Sequence, residues 1–235
     1  MPFQDDNGID LSTDRGPFWG AFATLRDQPE RLIAVNAAWS VNLIPGLLAL
    51  GYPDFPLALR LLFYAYSAVA ITPATMVLYA MVDRAVASEP VSMEAARDAL
   101  WTLALPSFRV LTPLGSALLL LGWLSLAPPG GLLLVSTGAQ LLLLLGCCCA
   151  GYWGVLLAAA PTAGALQVLR QSLRLLFAYP GRTLMLAFSA LLALFFGALS
   201  IGGLFLIVPV VLALLQTHMV YDLRRRRALR NRRTT

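Results

Sequence analysis

Charged residues are scarce in this chain of 235 residues. They make up 12% of the sequence, whereas a soluble domain has about 25%. Hydrophobic residues make up 59%, and the mean hydropathy is +0.75. A chain with so few charges cannot cover a surface that faces water, so the composition predicts that a lipid bilayer surrounds most of it. Since a spanning helix needs about 20 apolar residues, the length allows about five to seven spans and no large soluble domain.

Lysine is absent, and all 17 basic residues are arginines. The chain therefore lacks the lysine that a phosphate-binding loop requires. The arginines are densest in residues 224–235, directly after an apolar run. Acidic lipid head groups and nucleic acid both attract such clusters, but the position after an apolar run favours a cytoplasmic topology anchor. We predict no nucleic-acid partner.

The cysteines and the single histidine occur in patterns that do not fit a metal site or a catalytic site. Cys147, Cys148 and Cys149 are adjacent, and neighbouring positions of a helix point about 100° apart. They are interpreted as small packing residues, with lipidation as the alternative. His218 is the only histidine, and no Gly-x-Ser-x-Gly or His-Glu-x-x-His motif accompanies it. The sequence predicts no catalytic residue, no metal and no cofactor, and hence a protein that is not an enzyme.

Apolar runs predict an all-α fold, a polytopic membrane helical bundle in one domain over residues 15–223. The six predicted transmembrane helices cover 32–50, 57–82, 108–127, 132–159, 183–200 and 204–221. Three short amphipathic segments within 16–26, 83–105 and 163–178 predict interfacial helices on the cytoplasmic side. Residues 1–14 are predicted to form a flexible polar tail and 224–235 a basic cytoplasmic tail.

The distribution of arginine predicts the orientation of the bundle. If the six spans alternate and the basic tail is cytoplasmic, 16 of the 17 arginines lie on the cytoplasmic side, and only Arg60 lies opposite. By the positive-inside rule the chain is predicted to be a multi-pass membrane protein with both termini in the cytoplasm. The predicted topology anchors are Arg31, Arg109, Arg182, Arg224, Arg225, Arg226 and Arg227.

A pattern of amphipathic segment, proline, arginine and apolar hairpin occurs three times. Its marks are Pro29 with Arg31, Pro106 with Arg109, and Pro180 with Arg182. Two explanations stay open. The chain contains a threefold repeat of helix-plus-hairpin units, or loops that enter a membrane simply favour proline and arginine.

Polar residues within the predicted spans are the candidates for ligand binding. Asn36, Asn42 and Gln140 either join helices through hydrogen bonds or line a polar cavity for a neutral ligand. Asp54, Asp83 and Asp222 lie at span ends, which disfavours a proton-coupled transporter.

Helix packing is predicted from small residues and one proline. Gly146, Ala150 and Gly154 recur every four residues and form a stripe that allows close helix contact. Pro73 is expected to kink the second span because it removes a backbone donor. The stripe alone leaves open whether its neighbour belongs to the same chain.

Three elements of the first 120 residues form a recognisable pattern. They are Phe18-Trp19, the segment from Leu32 to Trp39 with its Asn36-x-x-Trp39 pattern, and the Thr72-Pro73-Ala74 element that ends in Leu78-Tyr79. In this pattern the chain resembles the YesL-like family of bacterial six-span membrane proteins. The entry Pro180-Gly181-Arg182-Thr183-Leu184 also fits. Members of this family often accompany carbohydrate importers driven by ATP, so the resemblance implies an accessory, transport-associated role.

Two functions follow as hypotheses. The first is a non-enzymatic accessory membrane protein that contacts a membrane or cytoplasmic partner, such as an importer complex, through its amphipathic segments. The alternative is a small neutral-solute carrier or a substrate-binding subunit of an importer, which requires a central polar cavity reached by Asn36, Asn42 or Gln140.

Overall fold

A computed structural model describes residues 16–126, 133–199, 205 and 207–232. All regular structure within these ranges is helical, which confirms the all-α class. The helices are α1 (Pro17–Asp27), α2 (Pro29–Val41), α3 (Ile44–Gly51), α4 (Leu57–Val86), α5 (Met93–Leu126), α6 (Leu133–Ala159), α7 (Ala165–Ala178), α8 (Pro180–Leu199) and α9 (Val208–Arg232).

Three helices, α4, α5 and α6, are long and apolar enough to cross a membrane. Two bent pairs, α2 with α3 and α7 with α8, pass the same test when each pair is taken together, which brings the number to as many as five in the described part of the chain. These features are those of a membrane protein. The predicted polar tail at 1–14 and the turns predicted at 128–131 and 202–203 lie outside the described residues.

Helix α5 corrects the predicted boundary between an interfacial helix within 83–105 and a span at 108–127. One helix runs from Met93 to Leu126, with Pro106 and Pro113 inside it. Proline weakens a helix, but a buried stripe continues past both prolines and packs the helix against its neighbours. The stripe consists of Leu103, Ser107, Val110 and Leu114. Tertiary packing along this stripe therefore outweighs the local signal to stop.

The predicted first span is interrupted instead. Helix α2 ends at Val41, α3 begins at Ile44, and their axes differ by 45°. Pro45 has no N–H to donate to the Val41 carbonyl, so the α-helical ladder cannot pass this point intact. At the end of α2, the side-chain amide of Asn42 donates to the Ala38 carbonyl over 2.8 Å.

The α1–α2 and α7–α8 junctions have nearly the same geometry. Gln28 separates α1 from α2 with φ −137° and ψ 52°, and Tyr179 separates α7 from α8 with φ −138° and ψ 60°. A proline follows each residue and disfavours the helical conformation before it. The first and third units of the predicted repeat thus share a helix, a one-residue bend and a second helix, whereas α5 passes through Pro106 without a break.

Helix α9 is the centre of the bundle. It packs against α1, α2, α4, α6 and α8. Its inward positions include Val210, Leu214 and Val220, which are at most 1% exposed. The helix continues from the core into the basic segment as far as Arg232, so the first residues of the predicted tail extend α9.

Candidate functional site

Polar side chains concentrate at one end of the bundle, where Arg84, Arg182 and Asp222 lie. We call this the charged end. Hydrogen bonds and ion pairs here join α1, α4, α8 and the last turns of the core part of α9. These contacts bring charged and titratable side chains of four helices together, so the charged end is the first candidate for a functional site.

His218 holds α1 against α9. Its Nε2 lies 3.0 Å from the Thr24 hydroxyl, which also donates to the Gly20 carbonyl over 3.0 Å. A Cβ added at Gly20 would lie 2.7 Å from His218 Nδ1, so only glycine allows the ring to approach this closely. A hydroxyl beside an imidazole is the pairing of a nucleophile with a base, but the bond to Gly20 and the tight packing favour a structural clamp.

Two further contacts join α9 to its neighbours. The Tyr221 hydroxyl donates to an Asp83 carboxylate oxygen over 3.0 Å. Asp222 forms a 3.3 Å ion pair with Arg182, and both side chains are less than a third exposed. The sequence places these acids only at span ends, whereas the structure pairs each of them with a residue more than 35 positions away.

Gln28, the residue at the α1–α2 bend, also joins the connection between α4 and α5. Its Nε2 donates to the Glu89 carbonyl over 3.1 Å, and its Oε1 accepts from the Val91 N–H over 3.3 Å. Both ends of the amide are satisfied, so the α1–α2 bend and the α4–α5 connection are held together. An exposed ion pair of 3.2 Å between Arg84 and Glu89 lies beside them.

The predicted topology anchors occupy different environments. Arg31, Arg109, Arg224 and Arg225 are exposed, and Arg182 is half-buried in its ion pair. Arg226 and Arg227 continue α9, and their side chains lie outside the described part. The exposed arginines can reach water or lipid head groups. Arg182 also joins α8 to α9 through its ion pair with Asp222.

The three candidate amides have separate environments. Asn36 is fully buried and donates to the Phe205 carbonyl over 2.6 Å, while its own oxygen has no partner in the described part of the chain. Asn42 pairs with the Ala38 carbonyl and accepts from the Tyr66 hydroxyl over 3.3 Å. Gln140 is exposed on α6. The structure therefore does not bring these three side chains together, and the Asn36 bond joins α2 to the segment before α9.

The stripe of small residues on α6 contacts helices of the same chain. A Cβ at Gly154 would overlap the ring of Tyr79 on α4, and one at Gly146 would overlap Leu118 on α5. Ala150, the third member, borders a crevice toward α8. Close approach at the two glycines thus serves internal packing.

The residues that carry the YesL-like pattern contact one another. The Trp39 indole N–H donates to the Thr75 hydroxyl over 3.0 Å, and Thr75 donates to the Ile71 carbonyl over 2.7 Å near Pro73. The Tyr79 hydroxyl donates to the Gln216 side-chain oxygen. The Trp39–Thr75 bond thus joins α2 to α4.

Gln216 and Thr183 were missed by the sequence reasoning. Both lie in predicted spans, and both are at least nine-tenths buried. Thr183 lies 2.7 Å from the buried Tyr152 hydroxyl. A polar residue within an apolar run was the signal that identified Asn36, and the same signal was present at Gln216.

A half-enclosed crevice lies between α6, α8 and α9. Its volume is about 240 Å³, and its lining includes Cys147, Gly151, Thr183, Ala187 and Gln216. Cys147 is exposed, Cys148 is intermediate and Cys149 is buried. Most of the lining is apolar, with Gln216 and Thr183 as its polar groups.

Within the described ranges, no three His, Cys, Asp or Glu side chains lie close enough to share a metal ion. The polar groups of the charged end instead bind one another.

The chain matches no protein-family model, no curated protein and no solved structure.

Proposed function

We propose that the chain is a non-enzymatic accessory protein of the bacterial inner membrane that binds a protein partner through its charged end. In this proposal six spans place both termini and the charged end in the cytoplasm. The observation that supports it best is an exposed face at the start of α5, beside the polar contacts that hold the charged end together.

Helix α5 is longer than a membrane requires. Its 34 residues extend over about 50 Å, whereas the apolar part of a bilayer is about 30 Å thick. Glu94, Arg97 and Asp98 lie near its start and are exposed, so this end is the part that leaves the lipid. The first turns of α5 therefore pack against the bundle through Ala95, Ala96 and Ala99 and leave their outer side exposed.

The exposed side of these first turns of α5 suits a protein partner. Met93, Arg97 and Trp101 follow one another at intervals of four residues and lie on the same side of the helix. Met93 is 85% exposed and Trp101 is 78% exposed. Tryptophan, arginine and methionine are enriched at protein interfaces. We call these three residues the α5 face.

The charged end supports the α5 face as a fixed platform. The two bonds of Gln28 hold the connection that precedes α5, and His218 holds α1 against the bundle. A surface that is ordered before binding loses little conformational entropy when a partner docks. The resemblance to the YesL-like family suggests that this partner belongs to a carbohydrate importer.

Site-specific photocrosslinking in native membranes tests the proposal. A benzophenone amino acid replaces Trp101 in the full chain, and a matched variant carries it in place of Trp123, which lies on the same helix toward the other end and is 59% exposed. We expect one discrete protein adduct at position 101, identified by mass spectrometry as an importer subunit, and none at 123.

Two results would argue against this function. Tryptophan also anchors helices at membrane interfaces, and lipid adducts alone at position 101 would assign the α5 face to that role. Equal protein adducts at 101 and 123 would show unspecific proximity.

The solute-carrier alternative gains nothing from Asn36, Asn42 and Gln140, because their environments are separate.

A further inference from the structure

The crevice between α6, α8 and α9 opens among apolar side chains. Cys147 lines it and is exposed. Leu144 lies one turn before Cys147, Leu191 lies one turn after Ala187, and each is 66% exposed. In a chain whose helices cross a membrane, such side chains face lipid. The mouth of the crevice therefore opens toward the bilayer.

Gln216 brings a hydrogen-bond donor to the inner wall. The residue is 9% exposed, and its side-chain oxygen accepts from the Tyr79 hydroxyl. Its Nε2 lies beside Gly151, 3.8 Å from where a Cβ of that residue would be, and both residues line the crevice. The hydrogen bond found for this side chain among the described residues uses its oxygen, so the Nε2 at the crevice wall is left to donate to a molecule in the crevice.

The depth of Gln216 suits one part of a phospholipid. Asp222 pairs with Arg182 at the charged end, and Gln216 lies six positions earlier on α9, which is about 9 Å along the helix axis. The head-group layer on each side of a bilayer is roughly 5–8 Å thick. If the ion pair lies among head groups, Gln216 lies near the acyl ester carbonyls.

We propose that this crevice binds an acyl chain of a phospholipid from the leaflet at the charged end, with its ester carbonyl accepting a hydrogen bond from Gln216 Nε2. The apolar walls, which include Leu186 and Ala187, surround the first methylene groups of the chain. A water-soluble ligand would have to pass through lipid to reach the mouth. The site is independent of the α5 face and does not rest on the proposed partner.

Photolabelling in lipid nanodiscs tests the site with the purified full chain. The probe is a phosphatidylcholine with a diazirine near the ester of one acyl chain, present as a trace in unlabelled phosphatidylethanolamine and phosphatidylglycerol. We expect peptides that contain residues 147–151 and 183–190 to be labelled above the exposed face of α5 near Leu119.

Matched variants separate the crevice from ordinary lipid contact. Ala187→Phe fills the crevice and should abolish the excess labelling, whereas Leu191→Phe at its rim should preserve it. Gln216→Met should lower the labelling about fivefold, which corresponds to the loss of one neutral hydrogen bond. Tyr79→Phe removes the same Tyr79–Gln216 bond but leaves the amide in place, and its labelling should equal that of the wild type.

Several outcomes would overturn the proposal. Uniform labelling of all exposed faces, unchanged in Ala187→Phe, would show only shell lipid. Labelling by a diazirine fatty acid but not by the phospholipid would exclude an esterified chain. If Ala187→Phe does not elute as a folded species, the comparison of Gln216→Met with Tyr79→Phe decides, and equal labelling of these two variants would exclude the Gln216 contact.

Discussion

The side-chain amide of Asn36 donates a 2.6 Å hydrogen bond to the backbone carbonyl of Phe205. The Ser40 hydroxyl, one turn further along α2, donates to the same oxygen over 2.5 Å. Phe205, which lies shortly before the start of α9, is thereby joined to α2, although it is 169 positions from Asn36 in the chain. Asn36 is fully buried, so water does not compete for this bond.

We predict that Asn36→Ala destabilises the folded protein by about 1–2 kcal/mol, since an interhelical hydrogen bond and its buried carbonyl are disturbed. Unfolding by sodium dodecyl sulfate in mixed micelles, followed by circular dichroism, measures the change. Asn42→Ala is the control, because Asn42 bonds mainly to its own helix, and its effect should stay below about 0.5 kcal/mol. Equal effects of the two substitutions would contradict the assigned role of Asn36.

Gly154 supports a second prediction. Its missing side chain leaves room for the Tyr79 ring, so Gly154→Ala should destabilise the protein by about 1–3 kcal/mol through overpacking. The same unfolding assay measures this change. Gly138→Ala lies on the same helix with open space around it and should be neutral or stabilising, because alanine is the better helix former.

A double variant tests the cause at Gly154. Tyr79→Ala removes the ring that the new methyl group would meet, so the effects of Gly154→Ala and Tyr79→Ala should be less than additive. Strictly additive effects would mean that the methyl group of Gly154→Ala does not clash with the Tyr79 ring.

The contact between Gly20 and His218 predicts how α1 is held. A methyl group at Gly20 would displace the imidazole and break its 3.0 Å contact with Thr24. Amide hydrogen exchange within α1 should become about fivefold to tenfold faster in Gly20→Ala, since about one hydrogen bond is lost in the closed state. Mass spectrometry of the peptide that contains residues 17–27 measures this rate.

Gly16→Ala is the matched control for α1, because open space surrounds Gly16. Its α1 peptide should exchange at the wild-type rate. An unchanged rate in Gly20→Ala would show that His218 does not hold α1 in place.

The arginine distribution predicts the sidedness of two exposed positions. In a background with the three cysteines replaced by alanine, Asp54→Cys should react with an impermeant maleimide in intact spheroplasts. Ser92→Cys should react only after permeabilisation, since 16 of the 17 arginines place its segment in the cytoplasm. The reverse labelling pattern would invert the topology, and with it the location of the proposed partner.

The amphipathic segments show how far local sequence reasoning reached. α1 and α7 form as separate helices, and each ends where a residue before proline leaves the helical conformation. The same signal at Pro106 predicted a boundary that the structure does not contain. There the buried stripe from Leu103 to Leu114 outweighs the proline, and a rule based on neighbouring residues cannot weigh contacts made with other helices.

The candidate sites show the same division. Asn36 was singled out as a polar residue within a predicted span, but its partner could not be predicted from a sequence in which Phe205 is one apolar residue among many. Gln216 carried the same signal and was overlooked. The α5 face and the crevice were not predicted at all, because each depends on which sides of several helices the bundle leaves uncovered.

The sequence by itself determined the class of this protein, because its apolar composition sets the solvent that the chain requires. It also determined a predicted orientation, because the arginines lie almost wholly in alternate connections between the predicted spans. Only the tertiary structure decided where helices break, what the small residues of α6 contact, and which polar groups pair. Those features depend on residues far apart in the chain, such as Tyr79 with Gln216 or Thr24 with His218, and packing alone brings such residues together.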